Sequence, residues 1–185
     1  MTLRDTRGVD LTSPQRRGTP IPMSAPHDPR SGIVAFDPGV NGAWAVLHHS
    51  GRFAACDELP RFEKGLNALA LGELVRSWRP ARAAIEQVHS MPKQGVASTF
   101  TFGTAYGVCI GVTGGYGVPL TFVTPNRWKA HFRLNGKPKD ASREIALRLF
   151  PEAAGFLTLV KHHGRADALL IARFVLDTEA GRKFA

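Results

Sequence analysis

The chain has 185 residues, 43% of them apolar and 21% charged, with a formal net charge of +9, the size and balance of one globular domain with a real core. No run approaches the roughly 20 uninterrupted apolar residues that a membrane helix needs; the nearest, Tyr106 to Val118, is short and broken by glycines. Cys56 and Cys109 sit in apolar runs without the spacing of a metal or redox motif and read as buried free thiols of a reducing cytoplasm.

Residues 1–30 carry five Arg against three Asp, are rich in Pro, Ser and Thr, and show no periodicity. They read as a disordered basic tail without the apolar core of a secretory signal. Residues 31–185 form the folded domain and keep 19 basic against 12 acidic residues. The basicity therefore belongs to the domain itself and points to a polyanionic partner.

Three antiparallel strands open the domain: Ile33 to Phe36, Ala43 to Leu47 and, after a Ser50-Gly51 hairpin, Phe53 to Cys56. The spacing of Leu66, Ala70, Leu74 and Trp78 predicts an amphipathic helix over Phe62 to Trp78, closed by Pro80. The stretch "ARAAIEQV" is a fourth strand running to Glu86, and "HSMPKQGV" is a loop. In "ASTFTFGTAYGVCIGVTGG" the four-residue spacing of Gly103, Gly107 and Gly111 gives a helix a small-residue side, suited to a sheet or to a partner subunit. Leu120 to Val123 is a fifth strand; Thr124 then caps a short helix that opens with Pro125. "KDASREIALRLFP" is a helix closed by Pro151, and "KHHGRADALLIARFVL" forms the last helix. The fold class is α/β, a mixed five-stranded sheet with three antiparallel strands followed by two parallel ones, flanked by helices.

One acid in the last helix is out of place: Asp167 lies on the same stripe as Leu170, Ile171 and Phe174. A lone buried carboxylate costs several kcal/mol unless bonded, paired or metal-bound. A right-handed crossover would set the fourth strand parallel to the first and bring Asp37 and Glu86 to one sheet edge, where Asp167 can pack over them. Three such carboxylates repel one another unless divalent cations neutralise them. Two Mg²⁺ ions, or Mn²⁺ in their place, held by such oxygens suit phosphodiester cleavage. Taken singly, Asp37 also fits a turn residue, Glu86 a surface acid, and Asp167 an acid bonded to backbone N–H groups at a helix start.

The blocks "IVAFDPGVNGAWAV", "AAIEQV", "TPNRWKAHF" with "GKPKDASREIALRLFP", and "HHGRADALLIA" together resemble the RuvC-like Holliday junction resolvases, especially the phage and prophage variant. The resemblance spans about Gly32 to Leu176. It implies an RNase H-like fold, a homodimer, and Mg²⁺-dependent paired nicking of four-way DNA junctions that leaves 5′-phosphate and 3′-hydroxyl ends. Asp37, Glu86 and Asp167 match the family's metal-binding acids. The family's usual fourth ligand stands three residues before the last acid, where this chain has Gly164. His163 is expected to take that role or to touch the attacked phosphate, with His162 as the alternative. Lys129 and Lys139 align with family lysines that face the DNA backbone. Lys93 and Gln94, in the loop after Glu86, are expected near the crossover, Phe100 or Phe102 to stack on an unpaired base, and Lys161 and Arg165 to hold phosphate.

Two further readings accompany this one: a broader endonuclease of branched DNA, and a non-catalytic junction-binding protein. The "DPGVNG" turn also resembles the phosphate loop of sugar-kinase-like ATPases, but those need a second, duplicated domain. The expected setting is the cytoplasm of a bacterial host or of a phage-infected cell.

Overall fold

The computed structural model describes residues 32–39, 42–63, 65–87 and 95–181. The predicted tail and the candidate DNA contacts Lys93 and Gln94 lie outside the described residues. The five main strands are β1 (Ile33–Asp37), β2 (Ala43–Leu47), β3 (Phe53–Glu58), β6 (Arg82–Glu86) and β7 (Leu120–Val123), in the spatial order β3-β2-β1-β6-β7. β2 pairs antiparallel with β1 and β3, whereas β6 is parallel to β1 and to β7. This is the expected sheet. The two parallel junctions require crossovers, which α1 (Ala68–Trp78) and α2 (Val96–Gly115) supply.

Strand alternation splits the core in two. Ile33, Ala35 and Ala84 face a cluster built with α3 (Pro125–His131), α4 (Ala141–Leu149) and α5 (His163–Glu179). Val34, Phe36, Ala83 and Ile85 face a cluster built with α1 and α2. The period of two then dictates that Asp37 and Glu86, two residues beyond Ala35 and Ala84, emerge on the α5 face.

The predicted helix over Phe62 to Trp78 is shorter than its periodicity suggested. Arg61–Phe62 (β4) and Gly65–Leu66 (β5) pair as a small hairpin, and the helix begins only after Asn67. The Asn67 side chain accepts a 3.0 Å bond from the Ala70 N–H, an N-cap strong enough to fix the start there. Leu66 falls on the apolar register of the helix but serves the hairpin instead.

α2 is helical throughout. Ala105, Cys109 and Thr113, at four-residue spacing, are its buried line. Gly103, Gly107 and Gly111 lie on another side, where a Cβ would meet nothing within 4 Å. Of the two roles open to the glycine face, packing on the sheet is thus overturned: the buried line takes the sheet and leaves the glycines outward. By length and composition α2 is apolar enough to cross a membrane, contrary to the expectation from uninterrupted runs, because Gly, Ser and Thr dilute its hydropathy without adding charge.

Candidate active site

β1 and β6 deliver the first two acids side by side. Their last paired residues are Phe36 and Ile85, one step before Asp37 and Glu86. The chain turns sharply after Asp37, whose Oδ1 accepts the Gly39 N–H at 3.0 Å; the turn role considered for Asp37 is real and coexists with a buried carboxylate. The turn leaves no room at Gly42, where a Cβ would lie 2.8 Å from the carbonyl oxygens of Asp37 and Gly39. Asp167 comes from the second turn of α5, on a stripe with the buried Leu170, Ile171 and Phe174, as its periodicity required.

Electrostatics record the convergence. Burial, then Glu86, then Asp167 push the Asp37 carboxyl up to about 8. Burial and the Glu86 charge push Asp167 up to about 6, against the nearby Ser142 hydroxyl, which donates to the Lys139 carbonyl at 3.1 Å, and the charges of Lys129 and His163. Burial also raises Glu86, opposed by a bond from Trp128 and by the Lys129 charge. The Trp128 indole Nε1–H donates to Glu86 Oε1 at 2.8 Å. Lys129 counteracts all three acids, and its ammonium lies 5.3 Å from the Trp128 ring centre.

Above the acids opens a cleft of about 460 Å³, walled by Asp37, Asp167, His163, Lys129, Lys137 and Lys139. The Leu134 to Lys139 segment lines it as well, and Gly136 there adopts φ +73°, a conformation that only glycine takes at low cost. Carboxylates and lysines share the lining, so the cleft can take both cations and a phosphate chain.

The two histidines separate cleanly. His162 is buried, and its Nδ1 accepts the Leu159 N–H at 3.2 Å, so it closes a local turn rather than serving the site; burial and the Arg165 charge lower its pKa. His163 lines the cleft, and its Nδ1 lies 3.4 Å from the Val160 carbonyl. A carbonyl only accepts, so in the neutral ring this contact would put the proton on Nδ1 and leave Nε2 as the nitrogen able to ligate a cation.

Other expectations divide. Lys129 and Lys139 line the cleft. Phe100 is 76% exposed and available to stack, whereas Phe102 already stacks on Tyr106 at 6.4 Å. Lys161 is exposed in the single turn before α5. Arg165 is a correction: its guanidinium pairs with Asp57 at 2.7 Å and donates to the Phe156 carbonyl at 3.1 Å. It ties α5 to β3 and to the Pro151–Phe156 turn, and that leaves it little capacity for phosphate. Sequence reasoning missed Trp128, Ser142 and Lys137. A tryptophan in so polar a helix as "PNRWKAH" was the signal for the first.

The acids fit divalent cations. Asp167 Oδ1 is buried without a hydrogen-bond partner, and the repulsion by which Glu86 raises Asp37 and Asp167 is what a cation would relieve. Among the described residues no three His, Cys, Asp or Glu side chains already stand close enough to clasp one ion. Mg²⁺ does not require that, since it is held by one or two carboxylates together with waters and substrate phosphates.

A mixed sheet in this order, with helices on both faces and acids at the ends of its central strands, is an RNase H-like fold of the RuvC type. Thermus thermophilus RuvC superposes with a TM-score of 0.57 at 19% identity, over 82% of this chain and 97% of that one. The structure titled T. thermophilus RuvC in complex with Holliday junction substrate gives the same TM-score of 0.57 at 20% identity, over 83% of this chain and 98% of that one. In sequence, 87 residues, or 46% of the chain, are 39% identical to the chloroplastic Holliday junction resolvase MOC1 of Chlamydomonas reinhardtii. The match spans only 10% of that relative's length. No family model matches the chain. The chain thus has the fold of RuvC, and part of its sequence is similar to part of the chloroplastic resolvase.

Proposed function

We propose that the protein is a metal-dependent, structure-selective DNA endonuclease that resolves four-way junctions by paired nicking. The observation that carries this reading is the meeting of opposite charges at one cleft: Asp37 and Asp167 line it together with Lys129, Lys137 and Lys139, and Glu86 acts on Asp37 from beside them. A duplex-binding surface needs only the lysines. The acids are costly to bury and are explained by cations that act on a phosphodiester. Its relatives in fold and sequence, RuvC and the chloroplastic resolvase, point to junctions as the substrate.

Asp37, Glu86 and Asp167, with Nε2 of His163, would hold two Mg²⁺ or Mn²⁺ ions. Bound there, the metal supplies the water activation and leaving-group stabilisation of phosphodiester hydrolysis, giving 5′-phosphate and 3′-hydroxyl ends. The lysines hold the backbone across the cleft, and Lys129 limits the repulsion among the acids. Paired nicking needs two centres, which a homodimer provides; the outward glycine face of α2 and its exposed Val96 and Phe100 support such an assembly. The buried thiols of Cys56 and Cys109 suit a cytoplasmic setting.

The test is cleavage of an end-labelled four-way junction by wild type and by Asp37→Asn. Loss of cutting with retained junction binding is expected; unchanged cutting by the variant overturns this active site. Equal affinity for a linear duplex at matched salt would instead favour a general nuclease.

A further inference from the structure

We propose that Trp128 is a positioning residue for Glu86, and that His131, Asp177 and Arg173 form a clamp that keeps it in place. This rests on the reading of Glu86 as a metal-binding acid. Trp128 is fully buried among apolar residues of the α5-side core, yet its one polar atom is aimed at the site: Nε1–H meets Glu86 Oε1 at 2.8 Å. A tryptophan ring is rigid and its N–H only donates. The bond therefore occupies one carboxylate oxygen, fixes the rotation of the group and leaves Oε2 for a cation. Partners of this kind, which orient ligands without touching the metal, influence affinity strongly.

Trp128 can hold this aim only if α3 is held. α3 is a seven-residue helix and no side chain caps its start, so its own hydrogen bonding does little to fix it. One turn after Trp128, the His131 ring Nε2–H donates to Asp177 Oδ2 at 3.2 Å. Asp177 is 3% exposed, and its Oδ1 takes the Arg173 Nε–H at 2.8 Å. The His131 ring packs edge-on against Phe174 at 5.4 Å, and Arg127 lies over the same Phe174 ring. α3 is thereby fastened to the C-terminal half of α5. Asp167 stands ten residues before Asp177 in the same helix, roughly 15 Å along it. A single rigid helix thus carries the third acid at one end and, at the other, the clamp that aims the second. Glu86 and Asp167, on different elements, are set relative to each other through Trp128 and α5.

Indole N–H resonances of the metal-free, full-length protein and Mn²⁺ calorimetry test this together. Trp44 and Trp78 lie on the opposite face of the sheet and serve as internal controls. Glu86→Gln and, separately, Mg²⁺ addition should shift the Trp128 Nε1–H signal and leave the other two in place. Trp128→Phe should weaken Mn²⁺ binding about 10- to 100-fold, and Asp177→Asn should weaken it less while broadening or moving the Trp128 signal. If wild type binds Mn²⁺ and Glu86→Gln loses it, but the Trp128 signal is indifferent to Glu86→Gln and Mg²⁺, the positioning role is overturned. If wild type binds no Mn²⁺, the metal-site reading itself fails. Should Trp128→Phe not fold, the resonance shifts in the wild-type background decide.

Discussion

Asp37 and Glu86 leave neighbouring parallel strands one step past their last paired residues and on the same face of the sheet, so the Asp37 carboxyl is buried against the Glu86 charge. The pair costs stability when no cation is bound. Burial and the neighbouring acids hold the Asp37 carboxyl at about 8, against an ordinary 3.8. A carboxyl raised in this way favours folding while protonated, and that contribution is lost as pH climbs through the window from about 4 to about 8.

Asp37→Asn should therefore stabilise the metal-free protein. In EDTA at pH 9 we expect a gain of about 2 kcal/mol, or a few degrees in melting temperature, shrinking to nothing near pH 4. Thermal melts across that range check it. With Mg²⁺ present the order should reverse, since only the wild type gains the stabilisation of binding.

The same shifts make metal binding a proton-releasing event. Between pH 6 and pH 8 the free protein holds Asp167 ionised and Asp37 protonated, given values of about 6 and about 8. A cation that takes up Asp37 must displace its proton. Apparent Mn²⁺ affinity should rise about tenfold per pH unit across this interval and level off above it. Calorimetry in buffers of different ionisation enthalpy should count about one proton released.

The cleft lysines should behave as phosphate contacts do. Alanine at Lys129, Lys137 or Lys139 is expected to weaken junction binding and to lower the slope of log affinity against log salt by about 1 each. Arg165→Met should leave that slope intact and instead cost roughly 1–3 kcal/mol of stability, because Asp57 would lose its buried-side partner. A salt titration alongside denaturant melts separates the two behaviours.

These contrasts mark where the sequence was legible. The mixed sheet and the convergence of Asp37, Glu86 and Asp167 could be read because they follow from strand period, helical periodicity and the general handedness of crossovers, none of which needs a particular side-chain contact. What escaped notice depends on side chains meeting across the fold. Arg165 looks like a phosphate ligand beside "HHG" until β3 is placed against α5 and Asp57 claims it. Trp128 looks like ordinary core until its N–H is seen on Glu86, 42 residues away in sequence. The start of α1 was misjudged for the opposite reason: Leu66 satisfies the helical period, and only the Asn67 cap and the Phe62–Gly65 pairing take it out of the helix.

His163 is the sharpest remaining test, because its neighbour provides the control. His162 accepts the Leu159 N–H from within a buried turn, while His163 stands in the cleft with Nδ1 at the Val160 carbonyl and Nε2 unclaimed. His162→Ala should cost about 1 kcal/mol or more in stability through the lost turn bond and leave Mn²⁺ affinity of the folded protein nearly unchanged. His163→Ala should do the reverse: melting within about a degree of wild type, since a half-buried side chain with one 3.4 Å backbone contact contributes little, and Mn²⁺ affinity lowered at least tenfold. His163→Asp adds a fourth carboxylate to the site of Asp37, Glu86 and Asp167, so it should bind Mn²⁺ more tightly than His163→Ala while losing stability in EDTA. If His163→Ala and His163→Asp both bind Mn²⁺ as wild type does, the fourth position belongs to the substrate phosphate rather than to the metal.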